Sequence, residues 1–273
     1  MNFSNKILSK LKALNLKRIE SYRLNKDPSK TLDGFLYKGP SIQFNDDWER
    51  PERKLLSKIL CSYNIFINIG AHYGYYSCMA RKAGLDLIAL EPLPVNFKML
   101  LDNIKVNGFE NNSTLINAAA GSKNCIGEIS GAFSTATMLK NNGNHKSLNQ
   151  FVPVIKLDSI CHDKNKNKLV LMDVEGFEYE ALIGSKGLLS DNTTTDWIIE
   201  IFPFWDPKGS PRYENKKYFE TFEIMIKSGY NIWKISDNLI KIEPIDLEKL
   251  KLEHFENRFS GNFLFSKKKI FFN

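Results

Sequence analysis

Asp173 and Glu175 stand at the end of an apolar run, in KLVLMDVEGFEYE, with Glu178 and Glu180 close behind. Carboxylates at a strand tip can take a proton from a reacting hydroxyl, worth ~10²–10⁴-fold in rate when the base is well placed. Glu178 and Glu180 read as first-turn helix residues that complement the helix dipole. Asp173 precedes that turn and has two readings, a general base or a helix cap. It is the first candidate for catalysis, Glu175 the second and His72 the third. His145, His162 and His254 lie in polar segments and read as surface residues. Asp173 and Glu200, at the ends of two predicted strands, could share a divalent ion that acidifies a hydroxyl. Two carboxylates are too unspecific a ligand set, so no metal is assigned.

The stretch FINIGAHYGYYS, residues 66–77, carries a second kind of chemistry. Gly70 permits a tight turn and close approach of a ligand to the backbone, and Gly74 lets the following helix sit against the sheet. Asn68, Ala71 and Tyr73 belong to the same turn; His72 either closes over a ligand or serves as a polar cap. Glu91 lies seventeen positions beyond Gly74, near the spacing of the acid that accepts ribose hydroxyls in nucleotide-binding folds. Pro92 then ends the strand by removing a backbone donor. Together these residues point to a nucleoside-containing cofactor. A dinucleotide wants the fuller G-x-G-x-x-G, so that several amides face two phosphates at a helix N-terminus; Ala71 and the spacing depart from it. S-adenosylmethionine asks only for a turn, an acid for its ribose and a slot for its adenine. An NAD-dependent oxidoreductase and a binding module with a degenerate cofactor site remain as alternatives.

These residues need a scaffold, and the sequence predicts one. Helix at 50–61, strand NIFINIG, helix at 74–83, strand LDLIALE, helix PVNFKMLLDNIKVNG and strand STLINAAAG follow in turn. After an insertion come strand KLVLM, helix FEYEALIGSKG and strand DWIIEIF. Such alternation means βαβ crossovers and an α/β fold, a mainly parallel, doubly wound sheet. Residues 121–160 read as a hairpin-like β insertion with a flexible tip, and the closing strands YNIWKIS and GNFLFSKK as a terminal antiparallel addition to the sheet. In a sheet of this kind ligands bind beyond the carboxyl ends of the strands, where all the candidates above fall.

At this level the chain resembles the FkbM family of S-adenosylmethionine-dependent methyltransferases. FINIGAHYGYYS, LDLIALEPLPVNFKMLLDNIKVNG, LINAAAGS, VPVIKLDSI and LVLMDVEGFEYEALIGSKGLL occur in the family's order, over about 60–201. His72 departs from the asparagine usual there. The resemblance implies a Rossmann-like class I methyltransferase fold. It implies that Asn68, Gly70, Ala71, His72, Tyr73 and Gly74 hold the methionine part, Glu91 with Pro92 the ribose, and Asn117 with Ala118 the adenine edge. It also implies O-methylation of sugar or secondary-metabolite hydroxyls, often in surface-glycan assembly, so the expected partner is a small-molecule or glycan acceptor. Residues 46–273 are the expected methyltransferase domain and residues 1–45 a helical extension and connector outside the resemblance.

The remaining features bound these readings. A net charge of +7 comes from lysines spread over many segments, with no basic stripe interleaved with aromatics, which argues against nucleic acid as partner. Cys61, Cys78, Cys125 and Cys161 are widely spaced, without a C-x-x-C pair, as in reduced cytoplasmic proteins. No apolar run reaches a membrane span and no secretory signal is evident, so a cytoplasmic location is expected. Residues 1–25 form an amphipathic basic helix that either packs on the protein or rests on the inner membrane face. Substrate selection is expected from the insertion, from FPFWDPKGSPRY and from residues 236–260. Phe202, Phe204 and Trp205 there either stack on a sugar or pack a neighbouring loop. Oligomeric state is not legible in the sequence.

Overall fold

The computed structural model describes residues 27–130, 149–161, 163, 165–191, 194–205, 213–257 and 261–268. A short hairpin, β1 (Ser29–Lys30) and β2 (Leu36–Tyr37), leads to helix α1 (Arg50–Ile59), whose first turn carries Pro51 as a helix start favours. Strand and helix then alternate through β3 (Ile65–Ile69), α2 (Tyr75–Lys82), β4 (Asp86–Leu90), α3 (Pro94–Val106) and β5 (Ser113–Ile116). Next come β6 (Ala119–Ala120), β7 (Cys125–Ser130) and β8 (Asn149–Ile155), followed by β9 (Lys168–Met172), α4 (Glu178–Ile183), α5 (Lys186–Leu189) and β10 (Thr195–Glu200). The C-terminal part holds β11 (Phe204–Trp205), β12 (Tyr213–Glu214), α6 (Tyr218–Lys227), β13 (Asn231–Lys234), β14 (Ile240–Ile242), α7 (Leu247–Asn257) and β15 (Asn262–Ser266).

Eight strands form one sheet in the order β14-β13-β15-β10-β9-β3-β4-β5. From β5 to β10 the neighbours are parallel, and β15, β13 and β14 add antiparallel at the far edge. The middle strands β3 and β9 are buried along their whole length, which is why they read as unbroken apolar runs. Alternation still sorts their side chains. Ile65, Ile67 and Ile69 pack into the core on the face of α4 and α6, whereas Phe66 belongs to the core under α2 and α3. Asn68 shares the Phe66 face, and its amide donates to Ser77 Oγ of α2 at 2.9 Å. Trp197 of β10 is fully buried and donates its indole N–H to Tyr230 at 3.1 Å.

Several expectations are refined by long-range packing. The stretch 113–121 splits: β5 joins the main sheet, while β6 pairs with β8, which also pairs antiparallel with β7, in a separate three-stranded sheet. The helix expected over 177–187 breaks at Gly184, where a Cβ would stand 2.0 Å from the Gly121 carbonyl oxygen. The polar stretch 236–260 contains an edge strand, β14, and the helix α7. The connector ahead of residue 46 is built into the body of the protein. Phe35 and Tyr37 are buried against Tyr75. Arg53 Nε and the Tyr75 hydroxyl both donate to Asp33, at 2.9 and 2.6 Å, and the Asn103 and Asn107 amides pair with the backbone of Lys38 and Leu36. Residues 1–25 and the insertion tip 131–148 lie outside the described residues, as does His162. Among the described residues no helix is long and apolar enough to cross a membrane.

Candidate active site

Strand register lines up the site. Ile69 of β3 is level with Leu90 of β4 and Met172 of β9, and Met172 is level with Ile199 of β10. The next residue on each strand therefore falls in one row along the carboxyl rim: Glu91, Gly70, Asp173 and Glu200. The strand order reverses between β3 and β9, so the row crosses the switch point where open parallel sheets bind ligands. Asn262 of β15, paired with Glu200, extends it by one strand.

Gly70 is required twice over. Its φ is +79°, and a Cβ there would lie 1.8 Å from the Asp173 carbonyl oxygen. The N–H groups of Gly70 and Ala71 both reach the Leu90 carbonyl, at 2.9 and 2.8 Å, which folds the turn back over β4. His72 then takes a φ of +50° and donates its backbone N–H to Glu91 Oε2 at 2.8 Å. Oε1 of Glu91 accepts from Leu93 N–H at 2.9 Å and from Asn96 Nδ2 at 3.2 Å. Glu91 is 4% exposed, and burial pushes its carboxyl up to about 7 against the opposing pull of these donors.

A second acidic group sits over β9 and β10. Asp173 is open to the cavity but sunk in protein mass, which raises its carboxyl above the ordinary range; a Glu200 hydrogen bond and the Glu175 N–H pull it back. Burial and the Asp173 charge together hold the Glu200 carboxyl well above its usual range, so the two hydrogen-bonded carboxyls hold a proton between them. Glu175 has a φ of +52°. Glu178 is 2% exposed, accepts from Gly176 N–H at 2.9 Å and stands in the first turn of α4 as expected. Burial pushes Glu178 to about 7. Glu49, at the start of α1, is exposed where it borders the cavity, yet the protein around it pushes its carboxyl up to about 7, opposed by the hydrogen bond from the Tyr76 hydroxyl.

One cavity of about 340 Å³ joins Glu49, Glu91, Asp173, Glu175 and Glu200. Asn68, Gly70, Ala71, His72, Glu91, Pro92 and Ala118 line it, as do the proposed catalytic residues Asp173 and Glu175. Tyr73, Gly74 and Asn117 stand one layer back. Tyr73 is fully buried, with its ring 3.9 Å from that of His72 and its carbonyl held by Asn103. Gly74 (φ +81°) seats α2 against Leu100. The Asn117 amide donates to the carbonyls of Glu91 and Pro92, at 2.8 and 3.0 Å, and so fixes the strand exit that presents Glu91. Sequence reasoning missed Asn96, although its place five residues after Glu91 in EPLPVN was a signal. It considered Glu200 only for a metal. It missed Tyr37, Gln43, Trp48, Glu49 and Glu52, which line the cavity from ahead of β3 and have no motif. Among the described residues no group of three or more His, Cys, Asp or Glu is arranged to hold a metal ion. The side chains of Phe204, Trp205 and His254 lie outside what is described.

Residues 68–232, more than half of the chain, match the model of the methyltransferase FkbM domain. The chain belongs to the FkbM methyltransferase family. A comparison with curated proteins finds no significant match. Among solved structures, a Pyrococcus horikoshii protein described as a transferase is 17% identical (TM-score 0.46) over 88% of this chain and 70% of that one. An O-methyltransferase from Bacillus cereus, in complex with SAH, is 12% identical (TM-score 0.42) over 83% of each chain. The magnesium protoporphyrin IX methyltransferase of Synechocystis PCC 6803, with bound SAM, is 11% identical (TM-score 0.40) over 92% of this chain and 91% of that one. The FkbM-family chain has a class I methyltransferase fold, and its methyl donor is S-adenosylmethionine. The residues present fit that donor. Gly70 leaves a cradle that any Cβ would fill, Glu91 offers a carboxylate to ribose hydroxyls, and Ala118, Ala119, Ala120 and Ile129 form an apolar slot of adenine character. Glu49, Asp173 and Glu175 supply the negative charge that a sulfonium and an ammonium group call for.

Proposed function

We propose that this methyltransferase O-methylates a hydroxyl of a sugar, in a surface glycan or related glycoconjugate, with Asp173 as the general base. The row of strand ends carries the reading: Asp173 lies between Gly70, on the cofactor side, and Glu200, on the side left for an acceptor. S-adenosylmethionine, when bound, supplies an electrophilic methyl group. The chain's own task is to hold the acceptor oxygen in line and to receive its proton. Alignment of this kind is worth ~7–11 kcal/mol. The hydrogen bond with Glu200 occupies one side of Asp173, leaving the rest of that carboxylate to accept the hydroxyl proton as the oxygen gains its new bond.

A sugar suits the acceptor side because its hydroxyls can donate to Glu49, Glu52, Asp173 and Glu175, and the stacked pair Trp48 and Tyr76 lines the same cavity. Free thiols at Cys61, Cys78, Cys125 and Cys161 suit a reducing, cytoplasmic compartment, and a basic segment at residues 1–25 suits contact with a membrane that presents lipid-carried glycans.

The test pairs calorimetric binding of S-adenosylmethionine with turnover on a panel of methyl glycosides, catechols and amines. Asp173→Asn is expected to bind the donor within about threefold of wild type and to lose ~10²–10⁴-fold in turnover. A variant that turns over normally removes Asp173 as base, and methylation confined to catechols or amines removes the sugar reading.

A further inference from the structure

The family match begins at residue 68, yet the cavity extends under the strap between β2 and α1. Two polar atoms of that strap that border the cavity, the Tyr37 hydroxyl oxygen and Gln43 Oε1, are buried without a hydrogen-bond partner among the described residues. Tyr37 is 1% and Gln43 8% exposed. Both flank Gly39: one added Cβ there would lie 2.9 Å from Tyr37 Cζ and 2.8 Å from Gln43 Oε1, so the two groups converge. A buried polar group left unpaired costs ~1–3 kcal/mol, and such orphans call for a partner that arrives from outside.

The surroundings identify that partner. The Tyr37 ring is 5.2 Å from the ring of Tyr75, the first residue of α2. The start of α2 follows Gly74, which provides no side-chain cap, so its first N–H groups and the positive end of its dipole face this region. The lining includes Glu49, Glu52, Glu91, Asp173, Glu175 and Glu200 and, among the described residues, no lysine or arginine. An amino-acid ligand in such a cavity has carboxylates in plenty for its cationic groups and, among the described residues, no cation for its own carboxylate. Neutral donors beside a helix N-terminus are what remains. A tyrosine hydroxyl donates one proton; Gln43 donates only through Nε2, which takes the place of the orphaned Oε1 when the amide turns over.

We propose that Tyr37 and Gln43 bind the α-carboxylate of the methionyl part of S-adenosylmethionine. The strap thereby becomes part of the donor site, although it precedes the family domain. This assignment rests on the donor being S-adenosylmethionine.

The experiment compares two ligands on three proteins by calorimetry. S-adenosylhomocysteine has the carboxylate; S-adenosyl-3-thiopropylamine is the same molecule without it. Tyr37→Phe and Gln43→Leu are each expected to weaken the first ligand about tenfold and to leave the second within about twofold. Because each variant deletes an unpaired buried group, neither should lower the Tm of the ligand-free protein. Equal weakening of both ligands, or of neither, overturns the proposal. So does a fall in Tm with Tyr37→Phe, which would mean that the hydroxyl is paired within the protein. Failure of wild type to bind either ligand would instead strike the donor assignment.

Discussion

The Glu200 and Asp173 carboxyls are hydrogen-bonded to each other across the ends of two adjacent parallel strands, β10 and β9. Two carboxyls this close share one proton, because ionising both would set like charges side by side in a poorly hydrated space. Burial raises both carboxyls above their usual range, and the Asp173 charge raises Glu200 further.

Replacing Glu200 should therefore move the titration of Asp173. Glu200→Ala removes a hydrogen bond that favours the carboxylate, and Asp173 is expected to titrate higher. Glu200→Gln keeps an N–H donor and should leave it near the wild-type position. Carbon-13 NMR of labelled aspartate carboxyls, assigned with Asp173→Asn, measures both. Coincident titrations in all three proteins would show that Glu200 does not act on Asp173.

Glu91 and Glu178 link stability to pH. Burial raises both from 4.5 to about 7, so between these values the folded protein binds more protons than the unfolded chain. Their contribution is then fully present below about pH 4.5 and is lost as pH rises through 7, at on the order of 1.4 kcal/mol per pH unit and group. Urea unfolding of the ligand-free protein should show Glu91→Gln gaining stability relative to wild type between pH 5.5 and pH 8. A difference between the two proteins that is independent of pH would contradict this. Ribose hydroxyls need the ionised carboxylate, so donor affinity should rise over the same window in wild type.

Gly70 and Gly84 separate backbone strain from close approach. Both have positive φ, +79° and +91°, but a Cβ at Gly84 meets nothing within 4 Å, while at Gly70 it strikes the Asp173 carbonyl. Gly84→Ala is expected to cost about 1 kcal/mol, the left-handed penalty alone. Gly70→Ala should cost several times more and abolish donor binding, because the β3 turn and the β9 tip must part. Denaturant midpoints and calorimetry check this; equal costs would mean that the turn has room to relax.

Much of the site was legible in the residues because its signals are local. Apolar runs of five or six residues between amphipathic helices determined the parallel sheet, and once the sheet is parallel its ligands lie at the carboxyl ends. Gly70, His72, Glu91 and Asp173 each stand where a run stops, so they could be named without coordinates. Tyr73, Gly74 and Asn117 were found by the same rule but stand behind the cavity wall. The rule locates a backbone position and does not tell which way the next side chain turns.

What the tertiary structure alone decided depends on contacts between distant segments. Register across four strands set Glu91, Gly70, Asp173 and Glu200 in one row; no spacing within one strand encodes it. The Asp33 pairing with Arg53 and Tyr75 anchored residues 29–45 to the domain, where composition had suggested a connector. That anchoring brought Tyr37 and Gln43 to the cavity. Their chemistry is ordinary in sequence and becomes specific only once burial has removed water as a partner.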